Sequence, residues 1–421
     1  MDKFLVHGGI PLRGKIRVSG SKNSALPILA ATLLTPELCV IHRVPDLSDV
    51  RHMLNILRHL GAEVDYTGGT ATIRAEKIHS DAPYELVRKM RASVCVLGPL
   101  LARCGLAKVS MPGGCVIGDR PIDIHLRGLQ ALGAHVETEE GNIHVEAKKP
   151  LQGATIHLGG KFGSTVLGTD NVMMAATAAK GTTVIESAAC EPEVKDLADF
   201  LVKMGAQISG HGTTRLEITG VSSLHGVEHT VIPDRIEAGT FIIAGLATGG
   251  DLTLEDIACA DLENVLHKLE QCGAVFEKTA TTLRVRTEGG LRPLNLVTEV
   301  YPGFPTDMQA QFCAMLATIP GTSVITEKIF PNRFMHLSEL KRMGANIDLE
   351  GHIAIIHGVP SLSGAPVMAS DLRASAALVI AGLAAKGTTE VNRVYHIDRG
   401  YERIDAKLTQ VGARIERIKE A

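Results

Sequence analysis

Two kinds of helical pattern alternate along the chain. The first is an almost wholly apolar helix that runs through a glycine into a β-branched strand, as in NVMMAATAAKGTTVIE, GTFIIAGLATGGDLTLE, AQFCAMLATIPGTSVIT and ASAALVIAGLAAKGTTEV; SALPILAATLL is a further apolar helix. The second is amphipathic and closes on a recurring signature: LRHLGAEV, LQALGAHV, LVKMGAQI, LEQCGAVF, LKRMGANI and LTQVGARI. The signature glycines are Gly61, Gly133, Gly205, Gly273, Gly344 and Gly412, at successive steps of 72, 72, 68, 71 and 68 residues. A glycine in the left-handed conformation ends such a helix, and the apolar run after it predicts a strand.

A helix apolar on every side must be buried on every side, whereas an amphipathic one keeps a wet face. Each ~70-residue unit therefore offers a central helix, an outer helix and strands, and is too small to be comfortable alone. The units are expected to cluster, with buried helices inside and sheets around them. A chain of 421 residues suggests two or three domains. Two groups of three repeats would divide near GVEHTVIPDRIEAG, residues 226–239, with a second flexible spot at VSGSKNSALP near Gly20. A cleft between two such groups is a usual place for a ligand.

Composition narrows the function classes. The chain is 45% hydrophobic and 21% charged with a net charge of -3, which gives no case for nucleic acid or an anionic membrane as the main partner. The opening MDKFLVHGGIPLRGKIRV has no apolar signal core, and no apolar run reaches the ~18 residues of a membrane span, so a cytoplasmic protein is expected. The eight cysteines, at 39, 95, 104, 115, 190, 259, 272 and 313, form no C-x-x-C and no paired short spacing. Neither a zinc site nor a disulfide framework is indicated.

Polar residues of interest gather at the starts of the buried helices. Ser21-Lys22-Asn23-Ser24 precedes one of them, with Pro27 read as lying in its first turn. Free backbone N–H groups beside a lysine make an anion site, and the plain alternative is Ser24 as N-cap with Lys22 in solvent. Asp307 in FPTDMQ and Asp371 in SDLR have the same duality, because aspartate suits a helix start whatever the protein does. The apolar flanks of Asp307 point further, to the fixed, half-buried position that a base acting on a hydroxyl needs. Six arginines, Arg91, Arg120, Arg235, Arg333, Arg373 and Arg399, recur at helix starts or in loops after strands. Pairing with neighbouring acids accounts for one or two of them, such as Arg235 beside Asp234. The set suggests a strongly anionic ligand, since the guanidinium fork fits phosphate and carboxylate. No P-loop and no strand-linked G-x-G-x-x-G occurs.

One connection is longer than its counterparts. From the glycine before the strand to the signature glycine, repeat two spans 28 residues (Gly105 to Gly133), against 23 to 25 in repeats three to six. The surplus falls in MPGGCVIGDRPID, where a glycine-bounded insertion reads as a lid that presents Cys115. A cation such as Arg120 would lower the thiol pKa, and a thiol that gives and takes a proton fits an anion-lined site better than a protease-type nucleophile.

These motifs resemble the UDP-N-acetylglucosamine enolpyruvyl transferases (1-carboxyvinyltransferases). The resemblance runs from SGSKNSALPIL through MPGGCVIGDRPIDIHLRGL, PDRIEAGTF and FPTDMQAQF to NRFMHLSELKRMGA, MASDLRASAAL and HIDRGYERID, essentially the whole chain. It implies an inside-out α/β barrel of the EPSP synthase type: one three-repeat domain over 21–231 carrying the Cys115 lid, and another from 1–20 plus 232–421 carrying Asp307. It further implies transfer of the enolpyruvyl group of phosphoenolpyruvate to the 3-hydroxyl of UDP-N-acetylglucosamine, by addition and elimination, with no metal or organic cofactor. This is the committed step of peptidoglycan synthesis.

Carried over by position, Cys115 matches the cysteine that protonates the phosphoenolpyruvate methylene and can bond to it, and that fosfomycin alkylates. Asp307 matches the base on the sugar hydroxyl. Lys22, Arg120 and Arg399 match groups around the phosphoenolpyruvate anion, and Asn23 a substrate contact. Arg91 and the run Arg120-Pro121-Ile122-Asp123-Ile124 match the UDP-sugar site, the run holding the uracil end. Ile329 matches an apolar wall beside the sugar, and Asp371 and Arg373 match charged residues of the closed cleft. The segment Lys161 to Thr169 departs from the family's K-x-S-V-G-A-T and reads as a longer loop; Lys161 and Ser164 are its matches to the diphosphate contacts. The related branch acting on shikimate 3-phosphate shares the barrel, and Cys115 with RPIDIH weighs against it. A non-catalytic repeat protein that binds nucleotide sugar is the alternative from another class.

Overall fold

In the computed structural model, which describes residues 2–111 and 122–419, all six signature glycines stand at positive φ, between 92° and 106°. A Cβ is strained there, so glycine is what lets each outer helix stop and turn into a strand. The outer helices are Ser48–His59, Asp123–Ala131, Pro192–Lys203, Glu263–Cys272, His336–Arg342 and Ile404–Gln410. Ser48–His59 shows the expected two faces: Val50, Met53, Leu54 and Leu57 are buried, and Arg51, Asn55 and Arg58 are exposed.

The apolar segments form six inner helices: α1 (Lys22–Ala31), α2 (Leu97–Cys104), α3 (Val166–Ala176), α4 (Arg235–Ala247), α5 (Gln309–Leu316) and α6 (Leu372–Ala384). Every residue of α4 from Arg235 to Leu246, and of α6 from Arg373 to Leu383, is buried. Such helices have no wet side to offer, so sheets must surround them. Among the described residues six four-stranded sheets pack on the inner helices of their own units, all on one plan. The strand after the inner helix pairs in parallel with a short strand on one side and antiparallel with a return strand on the other, as Thr182–Glu186 does with Thr155–His157 and Arg215–Thr219. This is the inside-out α/β barrel.

The chain divides into two compact units, passing from one to the other at Ser19–Gly20 and again at Ile232–Pro233. Each has its own apolar core. Strand exchange closes each set of three repeats. Lys3–His7 supplies the return strand of repeat six, between Thr388–Asn392 and Arg414–Ile418, and Arg13–Arg17 supplies the parallel strand of repeat four, beside Asp251–Glu255. In the other unit Glu228–Thr230 does the same for repeat one, beside Leu38–His42.

The start of α1 differs from the sequence reading. Ser21, not Ser24, is the N-cap, accepting from the Ser24 amide at 3.4 Å. The helix thus begins at Lys22 and Pro27 lies inside it rather than in its first turn. A proline that deep removes one helical hydrogen bond, a cost offset by burial of Ser24 to Ala31 among apolar neighbours.

Candidate active site

In the unit of residues 20–232, the α1 start places Lys22 under cover, not in solvent. Lys22 is 8% exposed, and its Nζ lies 2.7 Å from Oδ2 of the buried Asp49 on the neighbouring outer helix. Behind it, Asp196 gathers the Ser24 hydroxyl, His229 Nε2 at 2.9 Å and the Ile232 amide at 3.2 Å. This fixes the turn that carries Lys22 and the half-buried Asn23. Arg91, half-buried, opens the 3-10 turn that leads into α2.

The same unit brings the nucleotide-site candidates together. Ile122 is buried, Asp123 begins its outer helix in solvent, and Ile124 packs so close to Gly160 that a Cβ there would lie 2.6 Å from Ile124 Cδ1. Arg127 of that helix donates to the carbonyls of His157 and Gly159 at 3.3 Å. The atypical segment is a short hairpin, Gly159–Gly160 with Gly163–Ser164, turned at Gly163 with φ of 104°. Lys161 and Phe162 stand exposed at its tip, with Lys161 Nζ 5.2 Å from the Phe162 ring centroid, and Ser164 is half-buried. Thr165 then caps α3. Cys115, Arg120 and Pro121 lie outside the described residues.

In the other unit, three inner helices start with an aspartate. Asp234 caps α4, its Oδ1 accepting from the amides of Ile236 and Glu237 at 2.9 Å each. Asp371 caps α6 in the same way, accepting from Arg373 at 2.9 Å and Ala374 at 3.1 Å. Asp307 stands in the 3-10 turn Thr306–Met308 before α5 and is the N-cap of neither, those places falling to Pro305 and Met308. Its carboxylate is instead shared by two buried guanidiniums: Oδ1 lies 2.8 Å from Arg333 Nη1, and Oδ2 lies 3.3 Å and 3.2 Å from Arg373 Nε and Nη2.

Further residues hold those guanidiniums. Arg333 also donates to the Thr306 hydroxyl at 3.1 Å and lies over the Phe330 ring. Arg373 lies over the Tyr401 ring at 5.3 Å, and the Tyr401 hydroxyl meets Thr240 of α4 at 3.0 Å and Gln311 of α5 at 3.3 Å. Burial disfavours both charges, but the groups around them prevail, Asp307 and Asp371 at Arg333, and Tyr401, Asp307 and Asp234 at Arg373, so both are held above the ordinary arginine value. Beside them His336 is buried with Nε2 unpartnered, and desolvation pushes it down to about 4 against the pull of Asp371. It is neutral at physiological pH. A carboxylate half open to solvent, oriented by two fixed cations, can receive a proton from an incoming hydroxyl.

Ile329 is half-buried in the turn after the Thr322–Thr326 strand, and Arg399 is half-buried at the end of the 3-10 helix Val394–Arg399. Of the other candidate arginines, Arg235 is buried against the Tyr301 ring rather than at the surface, while Asp234 turns to backbone amides. Sequence reasoning did not assign Arg333, Thr306 or Tyr401 to the site; Arg333 was visible only as one arginine among six. The seven described cysteines are all free, and burial raises the pKa of each, that of Cys39 to about 11. Among the described residues, no group of three or more His, Cys, Asp or Glu is placed to hold a metal ion, and no helix is long and apolar enough to cross a membrane.

The family model of EPSP synthase (3-phosphoshikimate 1-carboxyvinyltransferase) matches residues 6–408. The UDP-N-acetylglucosamine 1-carboxyvinyltransferase of Methylacidiphilum infernorum is 65% identical over 99% of each chain. The chain belongs to the enolpyruvyl transferase family, in the UDP-N-acetylglucosamine 1-carboxyvinyltransferase branch. Among solved structures, the enolpyruvyl transferase NikO from Streptomyces tendae superposes with a TM-score of 0.90 at 26% identity, covering 99% of this chain and 98% of its own. EPSP synthase from Acinetobacter baumannii matches over the full length of both chains with a TM-score of 0.75 at 18% identity, a likeness of fold.

Proposed function

We propose that the protein transfers the enolpyruvyl group of phosphoenolpyruvate to the 3-hydroxyl of UDP-N-acetylglucosamine and releases phosphate, the step that commits nucleotide sugar to peptidoglycan, in the cytoplasm. The observation that carries this reading is Asp307: of the three helix-start aspartates of its unit, it is the one that stands off the N-cap position and is held by both Arg333 and Arg373. The high identity to relatives named for this reaction supports the choice of substrates.

Asp307 takes the proton of the sugar hydroxyl as its oxygen bonds to C2 of phosphoenolpyruvate, while Cys115 delivers a proton to the methylene C3. The tetrahedral ketal then loses phosphate and a proton from the new methyl group, restoring the double bond. Lys22, Arg120 and Arg399 bind the phosphoenolpyruvate anion, and the cover over Lys22 strengthens its charge on the ligand. Ile329 lies beside the sugar, Asn23 contacts the substrates, and Asp371 and Arg373 supply charge around them. Arg91 and Arg120 to Ile124 receive the nucleotide, and Lys161 and Ser164 its diphosphate. The contact of Ile124 with Gly160 supports grouping the last two sets.

The test is phosphate release from phosphoenolpyruvate with either UDP-N-acetylglucosamine or shikimate 3-phosphate as acceptor. Turnover with the first and not the second is expected. Turnover with shikimate 3-phosphate alone moves the protein to the neighbouring branch, and turnover with neither makes it a binding protein.

A further inference from the structure

Repeat five departs from four of its five siblings at one turn. In repeats one, three, four and six the residue after the central strand adopts positive φ: Arg43 at 58°, Ser187 at 55°, Asp256 at 59° and Arg393 at 60°. Four non-glycine residues in that region mark a turn the scaffold imposes at some cost. In repeat five the position is Glu327, after Thr322–Thr326, and it is not among the residues at positive φ. It is fully buried and shapes the turn with its side chain instead.

The contacts of Glu327 fix its chemistry. Oε1 receives the amides of Ile329 at 2.8 Å and Phe330 at 2.9 Å and the Thr298 hydroxyl at 2.7 Å, and Oε2 receives the Thr306 hydroxyl at 2.9 Å. Amides can only donate. The Thr298 oxygen already accepts from the Lys328 amide at 2.9 Å, and the Thr306 oxygen already accepts from Arg333 at 3.1 Å, so each hydroxyl has its hydrogen free for Glu327. Both oxygens are therefore acceptors, a demand that a carboxylate meets and an amide does not. The direction of the chain is set: Arg333 donates to Thr306, and Thr306 donates to Glu327. The same Arg333 nitrogen donates to Asp307.

We propose that Glu327 is a positioning residue for the transfer reaction: one buried carboxylate sets both the aim of Arg333 on Asp307 and the seat of Ile329 beside the sugar. This rests on the reading of Asp307 as the base. In Glu327→Gln, placing the side-chain oxygen toward the amides turns an NH2 group toward Thr306, whose hydroxyl then has two donors and no acceptor. Arg333 then shares the Thr306 oxygen with a second donor, its anchor weakens, and the base loses its fixed aim.

The experiment compares wild type, Glu327→Gln, Thr306→Val and the double variant by steady-state phosphate release and by thermal melting. Expected for Glu327→Gln is a kcat lower by roughly 10- to 100-fold, the range a slight misplacement of catalytic groups costs, with the KM for phosphoenolpyruvate within about twofold. Thr306→Val should also lower kcat, and the double variant should be no worse than Glu327→Gln, because both cut one chain. Multiplying losses, or a Glu327→Gln enzyme that melts lower yet turns over at the wild-type rate, would overturn the positioning role. If Glu327→Gln does not fold, a Thr306→Val enzyme with wild-type kcat overturns it equally. A wild-type protein without turnover overturns the parent reading, and this one with it; an active wild type with a fully active variant overturns only this one.

Discussion

Three aspartates stand at inner-helix starts in one unit, and the sequence invites the reading as an N-cap for Asp307 and Asp371 alike. Asp234 and Asp371 cap, and Asp307 does not. At the first two, the carboxylate is spent on backbone amides that would otherwise lack partners, a local matter of helix stability worth about 1 kcal/mol. At Asp307 the helix is entered through a 3-10 turn, and the carboxylate is turned to two cations from elsewhere in the fold. A residue that forgoes the local use open to it, and is oriented by distant groups, is a better functional candidate than one that merely carries the right chemistry.

The same substitution at all three positions tests the contrast, because asparagine caps a helix about as well as aspartate but cannot take a proton. The largest effect is expected for Asp307→Asn. Turnover should fall by about 10³-fold, the middle of the range for removing a general base. The variant should also melt lower, since Arg333 and Arg373 stay buried with their shared anion gone. Phosphate release with calorimetry checks both, and activity near wild type would reject Asp307 as the base.

Asp371→Asn should keep the cap and so the helix, but remove a negative charge that faces Arg333 and His336. A loss of roughly tenfold in kcat/KM is expected, on the scale of one charge-assisted contact. A loss as deep as at position 307 would blur the distinction between capping and chemistry.

How much of this was legible beforehand depended on range along the chain. The six glycine signatures and the all-apolar helices carry their own local physics, so the architecture could be read from them before any contact was known. The helix starts were legible as classes, not as individuals: FPTDMQ and SDLR look alike, and what separates them is Arg333, which stands 26 residues from Asp307, and Arg373, which stands 66 away. A solvated Lys22 stood as the plain alternative because Asp49 is on another helix, and Glu327 drew no notice because nothing local marks a carboxylate whose donors come from Thr298 and Thr306. Pro27 misled in the opposite way, as a local rule for helix starts gave way to burial.

A third effect concerns pH. Burial disfavours the His336 cation and pushes its pKa from the ordinary 6.5 down to about 4; the pull of Asp371 offsets this only in part, and Arg333 adds a smaller repulsion. Between those two values the unfolded chain binds a proton that the folded chain refuses, so stability falls as pH drops through the window. The loss from pH 7 to pH 5 should be on the order of 1–2 kcal/mol for this group. In His336→Gln, urea midpoints at the two pH values should lie closer together than in the wild type. Equal spacing would show that His336 does not refuse the proton, and that Asp371 commits more of its charge to it than to capping.

The smallest effect is expected at Asp234, where the contrast is sharpest in kind. Asp234→Asn should melt with the wild type and turn over within about threefold of it, since an asparagine oxygen can receive the Ile236 and Glu237 amides as the carboxylate does. Asp234→Ala leaves both amides without that partner at a buried helix start, and should cost about 1 kcal/mol, or roughly 2–4 °C in a unit of this size. Thermal melts of the two variants side by side decide it. If asparagine costs as much as alanine, the charge at position 234 matters beyond its cap, through its reach to Arg373, and Asp234 joins Asp307 as part of the electrostatics of the site.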